Sequence, residues 1–213
     1  MFIRRRRLTA RIVFPALLIL AALVSYFCFP SRRLAAHASQ LQSLSGPQAV
    51  DAHRYDQEWF DAARAGRVDI LGALHDAHYP LDAKTHAGYT ALILAAYDEQ
   101  PAALDYLLQA GADPCVGDRN GNTALMGALY KGELAIARRL LKTRCPIDQT
   151  NNAGETALAF AALFGRLEIL PDLVARGADP DHIDARGHTS LVIAHQQGNA
   201  EAAAALLKVG ATH

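Results

Sequence analysis

The sequence predicts an all-α fold, a solenoid of helix-turn-helix units with β-turn fingers, preceded by an N-terminal transmembrane helix. Three observations predict it. Gly88, Gly121, Gly154 and Gly187 recur at one constant interval, with Thr90, Thr123, Thr156 and Thr189 and then Leu92, Leu125, Leu158 and Leu191 in the same register. Gly111-Ala112, Gly177-Ala178 and Gly210-Ala211 form a further ladder, with Arg144-Cys145 standing on its missing rung. An apolar run flanked by arginines opens the chain. A period between about 20 and 50 residues is the mark of stacked supersecondary units.

The N-terminal element comes first. Residues 1–50 carry seven arginines and no Asp or Glu, while the remaining 14 basic residues face all 21 acidic ones, so the net charge of zero hides a segregation. Arg4 to Arg7 and Arg11 precede an apolar run from Ile12 to Phe29. As a helix it measures roughly 27 Å, just enough for a bilayer core of about 30 Å. The basic cluster predicts a cytoplasmic N-terminus and an exported remainder. Arg32 and Arg33 behind the run favour an uncleaved anchor at residues 1–30; the alternative is a signal cleaved near Ala38, where Ala36-His37-Ala38 is a small-x-small site. The expected location is the inner membrane, single-pass, with the repeats in the periplasm, or soluble there after cleavage. Residues 31–50, with Gly46 and Pro47, read as a linker, partly helical, and residues 51–64 as the helix that begins the stack.

Residues 51–213 then read as about five repeats, the first and last acting as caps. The glycine before each threonine suits a tight turn with positive φ, and each threonine stands where its hydroxyl can cap a helix. Leu92, Ala95 and Ala96 recur at helical spacing, the alanines allow helices to approach closely, and Leu125 is expected deep between repeats. Leu107-Leu108, Leu140-Leu141, Leu173-Val174 and Leu206-Leu207 face the second helix inward, and Gly111, Gly177 and Gly210 stop it. His78 and Arg144 replace that glycine and are expected to be mildly strained, and Glu99 replaces an inter-helix glycine ahead of Pro101. The last helix, alanine-rich from Glu201 to Lys208, is thinner than its predecessors.

The repeated string, G-x-T-A-L followed by a later L-L-x-x-G-A-D, resembles the ankyrin repeat from Gly88 to Ala211. A degenerate first unit lies at Trp59 to Asp82. The match departs at the Pro-Leu-His of the family, which is Ala-Leu-Ile at 91–93, Ala-Leu-Met at 124–126, Ala-Leu-Ala at 157–159 and Ser-Leu-Val at 190–192. The resemblance implies a non-enzymatic module that binds another protein through its concave face and turn fingers. Carried onto this sequence, the finger positions are His86, Tyr89, Arg119, Asn122, Asn152, Glu155, Arg186 and His188. The first-helix positions are Tyr97, Asp98, Tyr130, Lys131, Leu163, Phe164, Gln196 and Gln197. Aromatic residues of this kind are enriched at interface hot spots, and the other reading is that they pack over neighbouring helices. Exported ankyrin proteins also resemble immunity or protective partners of a periplasmic effector or enzyme.

Chemistry beyond recognition finds little support. The acidic repeat region argues against a nucleic-acid partner. No cofactor, metal or small-molecule substrate is expected: there is no G-x-S-x-G, phosphate-cradling glycine loop, H-E-x-x-H or CxxC. His75 and His78 stand at a helix end and the next turn, without a third ligand near in sequence. Asp98-Glu99 reads as a solvated helix end. The remaining close polar cluster is His182, Asp184 and His188, the basis of an enzyme hypothesis. Cys115 and Cys145 could pair in an oxidising compartment, but they fall on different rungs of neighbouring repeats and read rather as separate thiols.

Overall fold

A computed structural model describes residues 54–213. The expected membrane-spanning segment, its cleavage site, the linker and the first three residues of the predicted opening helix lie outside them. No helix among the described residues is long and apolar enough to cross a membrane.

Among the described residues five helix pairs follow one another: α1 (Asp56–Arg64) and α2 (Val68–Asp76), α3 (Ala91–Tyr97) and α4 (Pro101–Ala110), α5 (Ala124–Lys131) and α6 (Leu134–Leu140), α7 (Ala157–Leu163) and α8 (Leu170–Ala175), α9 (Ser190–Gln196) and α10 (Ala200–Lys208). The opening helix starts at Asp56, with Arg54 and Tyr55 in a turn ahead of it. The first helices of successive pairs stack in a row, α1 on α3 on α5 on α7 on α9. One column makes that approach possible: Ala62, Ala95, Ala128, Ala161 and Ala194 are all buried, one from each repeat. With only a methyl group at these positions, the backbones of neighbouring first helices can approach closely. Trp59 occupies the leucine column in the first unit, fully buried against the Tyr79 ring at 4.9 Å, and so closes that end of the core with a larger side chain.

The helix starts obey the threonine column. Thr90, Thr123, Thr156 and Thr189 are extended and accept from the backbone N–H groups of Ile93, Met126, Ala159 and Val192. Each hydroxyl satisfies one of the orphan donors of a first turn. Pro171 has a different effect. It cannot donate to the preceding turn, so α8 begins only after a 3₁₀ turn at Leu167–Ile169.

Two of the finger glycines are required twice over. Gly88 and Gly154 have φ of 86° and 77°, and a Cβ on either would lie 2.5 Å from the backbone nitrogen of Arg119 or Ala185 in the next finger. Gly187 has the same left-handed backbone, with φ of 85°, but nothing within 4 Å of a Cβ.

Three expectations are corrected at one place. Arg144 does not adopt the left-handed conformation; among the described residues only His78, at φ 64°, and Glu99, at φ 53°, do so without being glycine. In its repeat α6 ends through Leu141 in the right-handed region. The free carbonyls there are met by the Thr143 hydroxyl on Leu140 and by the Arg176 guanidinium on Leu141 and Thr143. Cys115 and Cys145 are not separate thiols but a disulfide, with Cα atoms 5.4 Å apart. Adjacent rungs of a solenoid lie side by side, so a sequence separation of 30 brings two side chains together. Leu125, expected deep between repeats, is only half-buried, unlike Leu92, Leu158 and Leu191. It borders a narrow cleft of about 20 Å³ with Thr143, Cys145 and Pro146, which the irregular loop does not close.

Candidate functional site

Each finger is built by a side chain three positions before its glycine. Thr85, Asp118, Asn151 and Asp184 fall in one column of the repeat, and the backbone N–H of each donates to the carbonyl four positions on. Their side-chain oxygens accept from the N–H groups of Tyr89, Asn122, Glu155 and His188. This column was present in the sequence, and short side chains that bond their own backbone mark it as turn-forming. The fingers then bond to one another. Arg119 N–H reaches Ala87 C=O at 3.2 Å, Asn152 N–H reaches Asn120 C=O at 2.9 Å, and Ala185 N–H reaches Ala153 C=O at 3.0 Å.

Between the fingers and the first helices runs a row of rings. Tyr89 lies 6.5 Å from Tyr97, Tyr97 stacks on Tyr130 at 5.8 Å, and Tyr130 meets Phe164 edge-on at 4.8 Å. Each ring comes from the end of a different first helix or its finger, and the register of the repeats aligns them. They line a groove of about 260 Å³ together with Asn122, Asp118, Asn120 and Phe160. Tyr130 is the most open ring, 46% exposed; Tyr97 and Phe164 are half-buried. The Tyr97 ring covers Gly127, where a Cβ would come within 3.2 Å of it, so Tyr97 belongs partly to the helix packing. Lys131 places its ammonium 5.2 Å from the same ring. Burial, with the neighbouring tyrosines and Asp118 adding to it, raises the Tyr97 phenol above its ordinary pKa, so it remains a neutral hydrogen-bonding group.

The other expected contact residues are dispersed. Asp98, Leu163, Gln196 and Gln197 are exposed at first-helix ends, and Leu163 and Gln197 border a second narrow cleft. On the fingers, Arg119 donates to the His86 carbonyl, Asn152 donates to that of Arg119, and Asn151 bridges Asn122 and Glu155. Much of that polar set holds the fingers in register. Asp118, Asn120 and Phe160 line the groove without having been expected there. Phe160 carries no visible signal, because its place is set by packing under Phe164 at 5.5 Å.

The residues considered for chemistry serve structure. Asp184 is buried, which works to raise its pKa, but the His188 N–H and the Arg186 guanidinium and N–H hold it below the ordinary carboxyl value. His182 contacts the Gly154 carbonyl at 3.2 Å, and His75 the Tyr106 hydroxyl at 3.0 Å. His78 forms the left-handed turn. Among the described residues, Asp113, Cys115 and Cys145 gather closely enough to hold a metal, and the two sulfurs are bonded to each other.

A family model of ankyrin repeats, three copies long, matches residues 59–151 and again 140–213. No curated protein matches the chain.

Proposed function

The chain belongs to the ankyrin-repeat family, whose members are generally protein–protein interaction modules, and from that premise we propose that it is an exported, membrane-tethered module whose aromatic groove binds another protein. The row of Tyr97, Tyr130 and Phe164 carries the reading. Rings held by helices lose little freedom on binding, and Tyr is over-represented among hot spots. No nucleic acid, cofactor or small-molecule substrate is part of this reading. The arginine-flanked apolar run at residues 12–29 supports the tether, and the Cys115–Cys145 disulfide supports an oxidising compartment such as the periplasm.

Capture from periplasmic extract by residues 39–213, compared between the unaltered sequence and Tyr130→Ala, tests the binding face. A partner retained by the first and lost by the second supports it, and equal capture refutes it. Protease protection in spheroplasts tests the topology: repeats that resist externally added protease are cytoplasmic, and the export reading falls.

A further inference from the structure

Three of the four junctions between successive repeats share one polar rung. Asp82 accepts from the Asp113 N–H at 3.0 Å, Asp148 from the Asp179 N–H at 3.0 Å, and Asp181 from the Thr212 N–H at 2.7 Å. The acceptors fall in one column of the repeat, and so do the donors. At the remaining junction, between the second and third repeats, both partners are missing. Position 115 is Cys instead of Asp, and position 146 is Pro, which has no N–H to give. The Cys115–Cys145 disulfide lies at this junction.

We propose that this disulfide is the covalent replacement of the missing rung, and that its reduction is a switch that loosens the solenoid between the second and third repeats. The surrounding residues fit that role. Cys145 occupies the column of Ala112, Ala178 and Ala211, yet it is less buried than those alanines, and beside it Leu125 borders an open cleft. Other side-chain ties across the junction are the Gln149 amide on the Cys115 carbonyl at 2.8 Å, the ion pair of Arg139 with Asp105 and the Arg119 guanidinium on the His86 carbonyl. Both cysteines are partly exposed. A dithiol reductant attacks one sulfur as a thiolate and forms a mixed disulfide; its second thiol then closes a ring and leaves. Two electrons and two protons pass to the protein, giving two thiols, and the reductant departs as a cyclic disulfide. The stack of Tyr97 on Tyr130 crosses the same junction, so loosening acts directly on the groove.

The test is urea unfolding of the full chain in mild detergent, with and without dithiothreitol. Closing a loop of about this length predicts a midpoint lower by about 1–2 M urea on reduction. Hydrogen exchange is expected to rise first at residues 114–118 and 141–149. Cys115→Ser/Cys145→Ser is expected to match the reduced chain in either condition. A rebuilt rung, Cys115→Asp with Arg144→Gly, Cys145→Ala and Pro146→Asp, writes the sequence of the other junctions and is expected to recover most of the midpoint and to ignore the reductant. Equal midpoints for the oxidised and reduced unaltered chain would overturn the proposal without reference to any variant. A rebuilt chain no more stable than the serine pair would overturn the equivalence of disulfide and rung.

Discussion

Tyr97 of the second repeat and Tyr130 of the third stack with ring planes 21° apart, yet they rest on different supports. Tyr97 covers the Cα of Gly127, whereas Tyr130 is nearly half exposed. Tyr130→Ala is therefore expected to shift stability by no more than about 0.5 kcal/mol. Removing a central interface anchor typically costs at least about 2 kcal/mol of binding. Tyr97→Ala is expected to cost roughly 1 kcal/mol or more of stability, because the ring's packing over Gly127 is lost. Thermal melts separate the two, and a large loss in Tyr130→Ala would place that ring in the core.

Glu99 and Arg144 both stand where a neighbouring repeat has glycine, and only Glu99 has positive φ. A left-handed backbone costs an L-residue about 1–2 kcal/mol. Glu99→Gly is expected to stabilise the chain by part of that amount. Arg144→Gly relieves nothing and adds unfolded-state entropy, so it is expected to be neutral or destabilising. Denaturation midpoints of the two variants check the contrast.

Leu158 and Leu125 occupy the same column with different burial. Leu158→Ala leaves a cavity in a closed core and is expected to cost about 2–5 kcal/mol. Leu125→Ala opens onto an existing cleft and is expected to cost clearly less, with the comparison made by chemical unfolding under oxidising conditions. Equal losses would show that the cleft closes in solution.

The Asp181 carboxyl is held below its ordinary pKa of 3.8, chiefly by the Thr212 hydroxyl and then by the Thr212 N–H. A carboxyl depressed in the folded state contributes stability that is present above 3.8 and lost as pH falls through the lower folded value. The unaltered chain is therefore expected to exceed Asp181→Asn in stability at neutral pH, with the gap closing below about pH 4. A gap that stays constant from neutral to acid pH would mean the carboxylate charge contributes nothing.

The repeat ladder made most of this architecture legible, because each column has a local physical cause. A glycine with positive φ or a threonine that caps a helix leaves its mark in sequence without help from distant residues. The threonine caps, the left-handed Glu99 and His78, and the aromatic row follow from register alone. What failed was the third repeat, where three irregular residues, Arg144, Cys145 and Pro146, change the loop together. Reading each against its own column predicted strain at Arg144, a free thiol at Cys145 and a closed core over Leu125. The disulfide, the right-handed end of α6 and the cleft instead arise jointly from that loop. The Asp82 and Thr85 columns were equally periodic, but their role lies in side-chain bonds to backbone, which periodicity of apolar residues does not display.

The bonds from Arg119 to Ala87, Asn152 to Asn120 and Ala185 to Ala153 make the fingers one continuous edge, not four independent loops. A loop that must be immobilised by its ligand charges that ordering against affinity. Here the ordering belongs to folding, so a partner docking on the proposed binding face would meet a contour already set and surrender chiefly its own freedom. Recognition by such an edge is a matter of matching spacing: a partner whose contact points do not repeat at the stride of the fingers gains one foothold and no second.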